Sequence, residues 1–115
     1  MKILKLPKLT NEGQGFCQYN LNNKNYHFEF QWCDNFCLIN IYFINENTKN
    51  TILKNYPLVR GVDLINRIKN SELISGKLYF QNIYEEDIEP EITNFSEDFE
   101  LIYYEENEAE NSEGL

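Results

Sequence analysis

Residues 26–43 read YHFEFQWCDNFCLINIYF. Tyr26, Phe28, Phe30 and Trp32 take every second position, with His27, Glu29 and Gln31 between them, which is the period of a strand that buries one face. Asp34 and Asn35 interrupt the alternation. From Phe36 to Phe43 the chain is extended again, rich in aromatic and β-branched residues, so the two runs predict an antiparallel hairpin. The sequence PLVRGVDLI at residues 57–65 then combines a proline that stops a ladder, a glycine that permits a sharp turn and an apolar spacing suited to a short helix.

Working outward, residues 2–6 read as a first strand ended by Pro7, and residues 16–21 as a second. Asn22, Asn23, Lys24 and Asn25 are polar turn residues that return the chain into Tyr26. Past the hairpin, residues 45–50 form another Asn-rich turn, and residues 51–53 are expected to pair back on residues 39–43 until Pro57 ends the strand. Asp63, Leu64, Ile65 and Ile68 predict one or two helical turns closing near residues 70–76, with the Asp63 carboxylate accepting a backbone N–H at the start. Residues 77–82 form a strand with Leu78 and Phe80 on one side and Tyr79 on the other. The acidic residues 84–91 predict an exposed loop. Residues 99–104 close the fold with Phe99, Leu101 and Tyr103 on one face. The class is mostly β, a small antiparallel barrel or sandwich of about seven strands with one short helix.

A chain of 115 residues allows one domain with a modest core, and eight Phe, eight Tyr and one Trp supply its volume. Charge is split along the sequence. All ten Lys and Arg stand at or before Lys77, with six acids, so that part carries +4, whereas residues 78–115 carry thirteen acids and no base. An end this acidic repels phosphate backbones, and neither nucleic acid nor a membrane is expected as a partner. Residues 1–104 are expected to be the folded domain and residues 105–115 an acidic, disordered tail. Cys17, Cys33 and Cys37, an odd number with no secretory leader before them, argue for a reducing compartment. Beyond these three, His27 is the only other soft ligand, so buried thiols are favoured over a metal site. No apolar run reaches the ~18–20 residues needed to span a bilayer.

Catalytic signals are weak. His27 has no nucleophile at a recognisable spacing, and no phosphate-cradling glycine loop occurs. Glu85, Glu86, Asp87, Glu89 and Glu91 crowd one segment. Paired catalytic carboxylates face each other across a cleft, and calcium loops interleave Gly and Asp, so these five read as a solvated surface. No catalytic, metal or cofactor residue is assigned.

Laid end to end, the pattern resembles the small baseplate plug proteins of contractile-tailed bacteriophages and prophages, the cyanophage-type plug domain. Residues 3–7, 28–32, 36–41 and 57–65 carry the resemblance in order, and residues 76–80, 87–90 and 101–104 reproduce the family's closing Gly-x-Leu strand, acidic loop with proline, and Leu-x-Tyr-Tyr strand. Residues 57–64 are its most specific element. Two departures stand out: Ile39 and Asn40 replace the acidic residue usual in the second strand, and the turn at residues 45–50 lacks the common glycine. The resemblance implies a structural protein without enzymatic chemistry or cofactors, residing in the virion tail baseplate after assembly in the bacterial host cytoplasm. It implies contacts with hub, spike or tube proteins, with self-association a further option. Interfaces favour Tyr and Arg, so Tyr56, Arg60, Tyr79, Tyr84 and Tyr103 are the candidate contact residues, each weighed against ordinary packing at the core edge. Two other classes compete: an acidic mimic of DNA that inhibits a host nucleic-acid enzyme, and a ligand-binding β barrel, which would need an aromatic-lined cavity.

Overall fold

In the computed structural model, which describes residues 1–68 and 73–106, the alternating runs become seven strands. They are β1 (Lys2–Lys5), β2 (Gln14–Leu21), β3 (Lys24–Cys33), β4 (Phe36–Asn45), β5 (Thr48–Pro57), β6 (Lys77–Asn82) and β7 (Phe99–Tyr104), with a 3₁₀ turn at Ile65–Arg67 and one short helix, α1, at Phe95–Asp98. Two antiparallel sheets result, ordered β2-β3-β4-β5 and β1-β7-β6. They are not closed into a barrel, so of the two expected architectures the sandwich is the one formed.

Three tight hairpins fix the larger sheet. Asn22 and Asn23 both take positive φ, 53° and 64°, and Glu46 and Asn47 take 50° and 65°. A two-residue turn with left-handed backbone at both positions matches the twist of the flanking strands, and Asn tolerates that conformation better than most residues. The registers follow: Tyr26 opposes Tyr19 and Phe43, and Phe28 opposes Cys17 and Ile41. Tyr26, Phe28 and Phe30 are buried as the alternation required. Trp32 is only half-buried and packs at the rim of the core.

β5 is longer than the sequence suggests. It runs for ten residues, and its register against β4 shifts twice, between Ile39 and Ile41 and between Ile41 and Tyr42. Such bulges break the period-2 signal. At the first shift Asn55 takes φ 51°, and its N–H donates to Asn40 Oδ1 at 2.6 Å. The departure at position 40 therefore has a structural use.

The crossing between sheets is made by residues 58–64. Leu58 N–H donates to the Cys37 carbonyl, Gly61 N–H to that of Phe80, and Leu64 N–H to that of Leu78. Arg60 forms a parallel bridge with Phe80. Gly61 needs its freedom because φ is 73°. Asp63 Oδ1 accepts from the Ile65 N–H and the Leu78 N–H, both at 3.0 Å, so the expected capping carboxylate also ties the turn to β6. The predicted helix is a single 3₁₀ turn; its proposed continuation at residues 69–72 falls outside the described residues. A second close approach explains Gly76, where a Cβ would stand 2.1 Å from the Tyr104 carbonyl oxygen.

Aromatic rings join the two layers. Phe95, on α1, meets Phe30 of the larger sheet at 5.3 Å and stacks on Phe80 of the smaller one at 5.8 Å, and Phe80 stacks on Phe99 at 5.2 Å. Sequence reading missed α1, whose four residues are too few for a periodic signal. Tyrosine hydroxyls close the ends: Tyr19 donates to the Lys5 carbonyl, Tyr26 to Leu73 and Tyr103 to Ser75. Burial pushes the Tyr26 hydroxyl pKa up to about 12. The Cys37 thiol, buried on β4, is raised to about 12 for the same reason, and all three cysteines are free. Among the described residues no helix is long and apolar enough to cross a membrane.

Chemical denaturation separates the centre of this core from its rim. Phe80→Ala removes a fully buried ring and should cost ~3–5 kcal/mol, while Trp32→Ala should cost clearly less; equal losses would contradict the placement of Trp32. Asp63→Ala leaves the Leu78 N–H without its partner and should cost about 1–3 kcal/mol.

Candidate protein-interaction surface

The five candidate contact residues do not form one patch. Tyr103 is 2% exposed, with its ring in the core and its hydroxyl on Ser75, so it offers no surface. Tyr56 stands on β5 opposite Ile39, half-buried against the core. Tyr79 lies on the other side of β6 from Leu78 and Phe80, edge-on to Tyr104 at 6.2 Å. Only Arg60 and Tyr84 meet in one region, the acidic loop after β6.

That loop is held from two sides. Asn82, the buried polar residue at the end of β6, accepts the Tyr84 and Glu86 N–H groups through Oδ1 at 2.8 and 3.3 Å. Arg60 reaches over from the crossing segment, where Nη1 donates to the Glu86 carbonyl and Nη2 to Asp87 and Glu89. Arg60 is thus committed within the chain. Its carboxylate partners are almost fully exposed, so these pairs add at most ~1 kcal/mol. Their main effect is to fix the loop's shape. Tyr84 is 62% exposed on it, with Ile83 and Ile88 also exposed nearby in sequence. Among the described residues, no cluster of three or more His, Cys, Asp or Glu is arranged to hold a metal ion.

The outward face of the larger sheet carries a second surface that the candidate set omitted. On it the His27 ring lies 5.6 Å from Phe16 and 6.0 Å from Tyr42, and Lys49 Nζ sits 4.5 Å over the Tyr42 ring. Glu29 is the hub of this row, in contact with His27 Nε2 at 3.3 Å and Lys49 Nζ at 3.8 Å. It also accepts from the Tyr42 hydroxyl and, at 3.5 Å, from the Asn40 amide. Partial burial alone would push the Glu29 carboxyl up, but the hydrogen bonds from Tyr42 and His27 and the charge of Lys49 outweigh it, and the net shift is downward. Phe16, at the end of the row, is 70% exposed. The signal for it was present: in β2 the residues Cys17, Tyr19 and Leu21 alternate with Phe16, Gln18 and Asn20, so burying the first set turns Phe16 outward.

These surfaces are apolar and aromatic patches rimmed by charge. The model of the family described as cyanophage baseplate Pam3 plug gp18 matches residues 1–106. The chain belongs to that family. Every described strand of the plug domain falls within the match, including the 58–64 crossing that the sequence pattern had singled out. The family is a structural one, and membership implies a place in the virion tail baseplate and contacts with other baseplate components. A search of curated proteins finds no match.

The Glu29 row gives a pH test. A carboxyl whose folded pKa lies below its unfolded value stabilises the fold above the unfolded pKa, and that contribution is lost as pH falls through the folded pKa. Glu29→Gln should therefore lower the thermal midpoint at pH 7, with the gap to the parent protein narrowing as pH drops below the usual carboxylate range. A gap independent of pH would show that the Glu29 charge is not what matters.

Proposed function

We infer that this plug domain works purely by protein–protein contact in the contractile tail, without catalysis or cofactor, packing against hub, spike or tube subunits. Assembly takes place in the bacterial host cytoplasm. The observation that carries the reading is the family match over residues 1–106. The pinned acidic loop and the exposed Phe16 row support it, because pre-ordered apolar side chains lower the entropic cost of forming an interface. Of the original five residues, Tyr84 and Tyr79 are the ones whose surfaces can reach a partner, and Arg60 acts by shaping the loop that presents Tyr84. Residues 1–104 are the contact module. The acidic stretch 105–115, of which residues 107–115 lie outside the described structure, is a dispensable tail in this reading.

Affinity capture from cells producing particles, followed by mass spectrometry, tests the assignment. Tail tube, hub and spike proteins should copurify with the tagged chain, and a chain ending at Tyr104 should copurify with them equally well. A host nuclease or polymerase in the absence of tail proteins, lost on truncation, would replace the plug reading with that of an acidic DNA mimic.

A further inference from the structure

Each sheet has two edges, and three of the four are sealed. β5 carries two register shifts, Lys49, Lys54 and a terminal proline, all devices that discourage strand addition. The outer edge of β6 is covered by the crossing segment, through Gly61, Asp63 and Leu64. β1 is four residues long, has a lysine at each end, and receives the Tyr19 hydroxyl on the Lys5 carbonyl.

β2 differs. Trp32 N–H donates to the Gly13 carbonyl, which makes Gly13 and Trp32 a hydrogen-bonded pair; in this register residues 15, 17, 19 and 21 then turn their backbone groups toward β3. Residues 14, 16, 18 and 20 point the other way. Gln14 is taken, its carbonyl by the Thr10 N–H and its N–H by the Thr10 hydroxyl. The Asn20 carbonyl is taken by Lys2 Nζ. Between them Phe16 presents both N–H and C=O to the edge and Gln18 its N–H, the Gln18 carbonyl receiving only the Cys17 thiol at 3.9 Å. The strand reads QGFCQYNL, with no charge, no proline and no bulge, and Phe16 is the most exposed large apolar side chain among the described residues.

We propose that the open edge of β2 at Phe16 and Gln18 is a strand-addition site that receives an extended segment of a neighbouring baseplate subunit, an apolar residue lying against Phe16 and an acidic residue beside Lys8. The inference rests on the plug reading above and names the contact. Only an extended backbone matches alternating N–H and C=O groups at this spacing. The window from residue 15 to residue 19 spans roughly 13 Å, enough for a short segment.

The occupant is a foreign segment rather than a second β2. A twofold pairing centred on Cys17 would set Asn20 of one copy opposite Gln14 of the other, where Thr10 already occupies the edge. A short segment can leave the edge before meeting Thr10 or Lys2. The charge beside Phe16 sets the segment's flank: Lys8 and Phe16 line the same open concavity, whereas Lys5 stands opposite Glu100 and Lys2 lines a recess with Glu105. The carboxylate in the Phe16 concavity, Glu29, is engaged by His27, Lys49 and Asn40.

Tails assembled with tagged variants test this. Gln18→Pro deletes an N–H that the fold does not use, at an edge position where proline is tolerated. Phe16→Ser removes the apolar contact and leaves the backbone intact. Phe36→Ser, exposed on the β3–β4 hairpin, is the control. Each variant is first shown to keep the parent's melting temperature. Incorporation of the first two into purified tails should fall by about tenfold or more, the scale of losing an aligned hydrogen bond with its neighbours, while Phe36→Ser incorporates normally. Amide exchange on the parent protein should show fast Phe16 and Gln18 N–H groups in the free chain and slow ones in tails. Normal incorporation of both edge variants would overturn the proposal and leave the plug assignment standing. A parent protein absent from tails would overturn both. Dimerisation of the free chain abolished by Gln18→Pro would give the edge to a second copy and overturn the foreign-segment occupant.

Discussion

One carboxylate oxygen fastens the segment that crosses between the layers to the smaller sheet. Asp63 Oδ1 accepts from Ile65 at the start of the 3₁₀ turn and from Leu78 on β6, while the neighbouring Leu64 and Gly61 N–H groups bond to the Leu78 and Phe80 carbonyls. The two sheets share no strand, so nothing in their ladders aligns one with the other. Sheets this small bury little surface alone, and their inner faces are useful only when brought together at a fixed offset. The crossing segment sets that offset by acting as a partial fourth strand on the edge of β6. Leu58 and Leu64, buried at its two ends, anchor it in the shared core.

Once the offset is set, Phe95 completes the contact between layers. It is fully buried and touches Phe30 on one side and Phe80 on the other. A four-residue helix carries this ring because it needs only to bring one side chain inward between β6 and β7. The helix has little intrinsic stability at that length, so its conformation depends on the packing of Phe95. Core and crossing are therefore mutually dependent, and the surface loop at residues 83–91 is the outer part of the same connection, braced by Arg60 from the crossing and by Asn82 from β6.

The sequence disclosed what depended on local period and turn chemistry. Alternation in residues 26–32 and 77–82 placed the buried faces correctly because both strands have one face in the core, and Asn22, Asn23 and Asn47 marked turns of the larger sheet because Asn tolerates left-handed backbone better than most residues. Trp32 was harder, since strand period says which way a side chain points but not how far the opposing sheet extends over it. β5 was shortened in the reading because its bulges at Ile41 interrupt the alternation, and α1 is shorter than one helical hydrophobic repeat. Among the contact candidates, Tyr103 was visible as an inner-face residue from the phase of Phe99 and Leu101, and choosing it by residue type set that phase aside. Phe16 was legible by the same logic in the opposite direction.

Edges, unlike faces, cannot be read from a period. Whether a strand lies at the margin of a sheet depends on pairing order, and whether the margin is open depends on what the rest of the chain lays against it. In this fold the devices are distributed unevenly: two bulges and lysines on β5, a covering segment on β6, shortness and a tyrosine on β1. Thr10 and Lys2 then cap both ends of the β2 edge, and between them the ladder to β3 leaves the outward N–H groups of Phe16 and Gln18 unused. Capping the ends limits open-ended sheet growth, since a long strand cannot lie along the whole edge, yet the outward N–H groups of Phe16 and Gln18 remain available to a short one. Such an arrangement separates aggregation from recognition by length alone, a distinction that a structural protein assembled at high local concentration has reason to make.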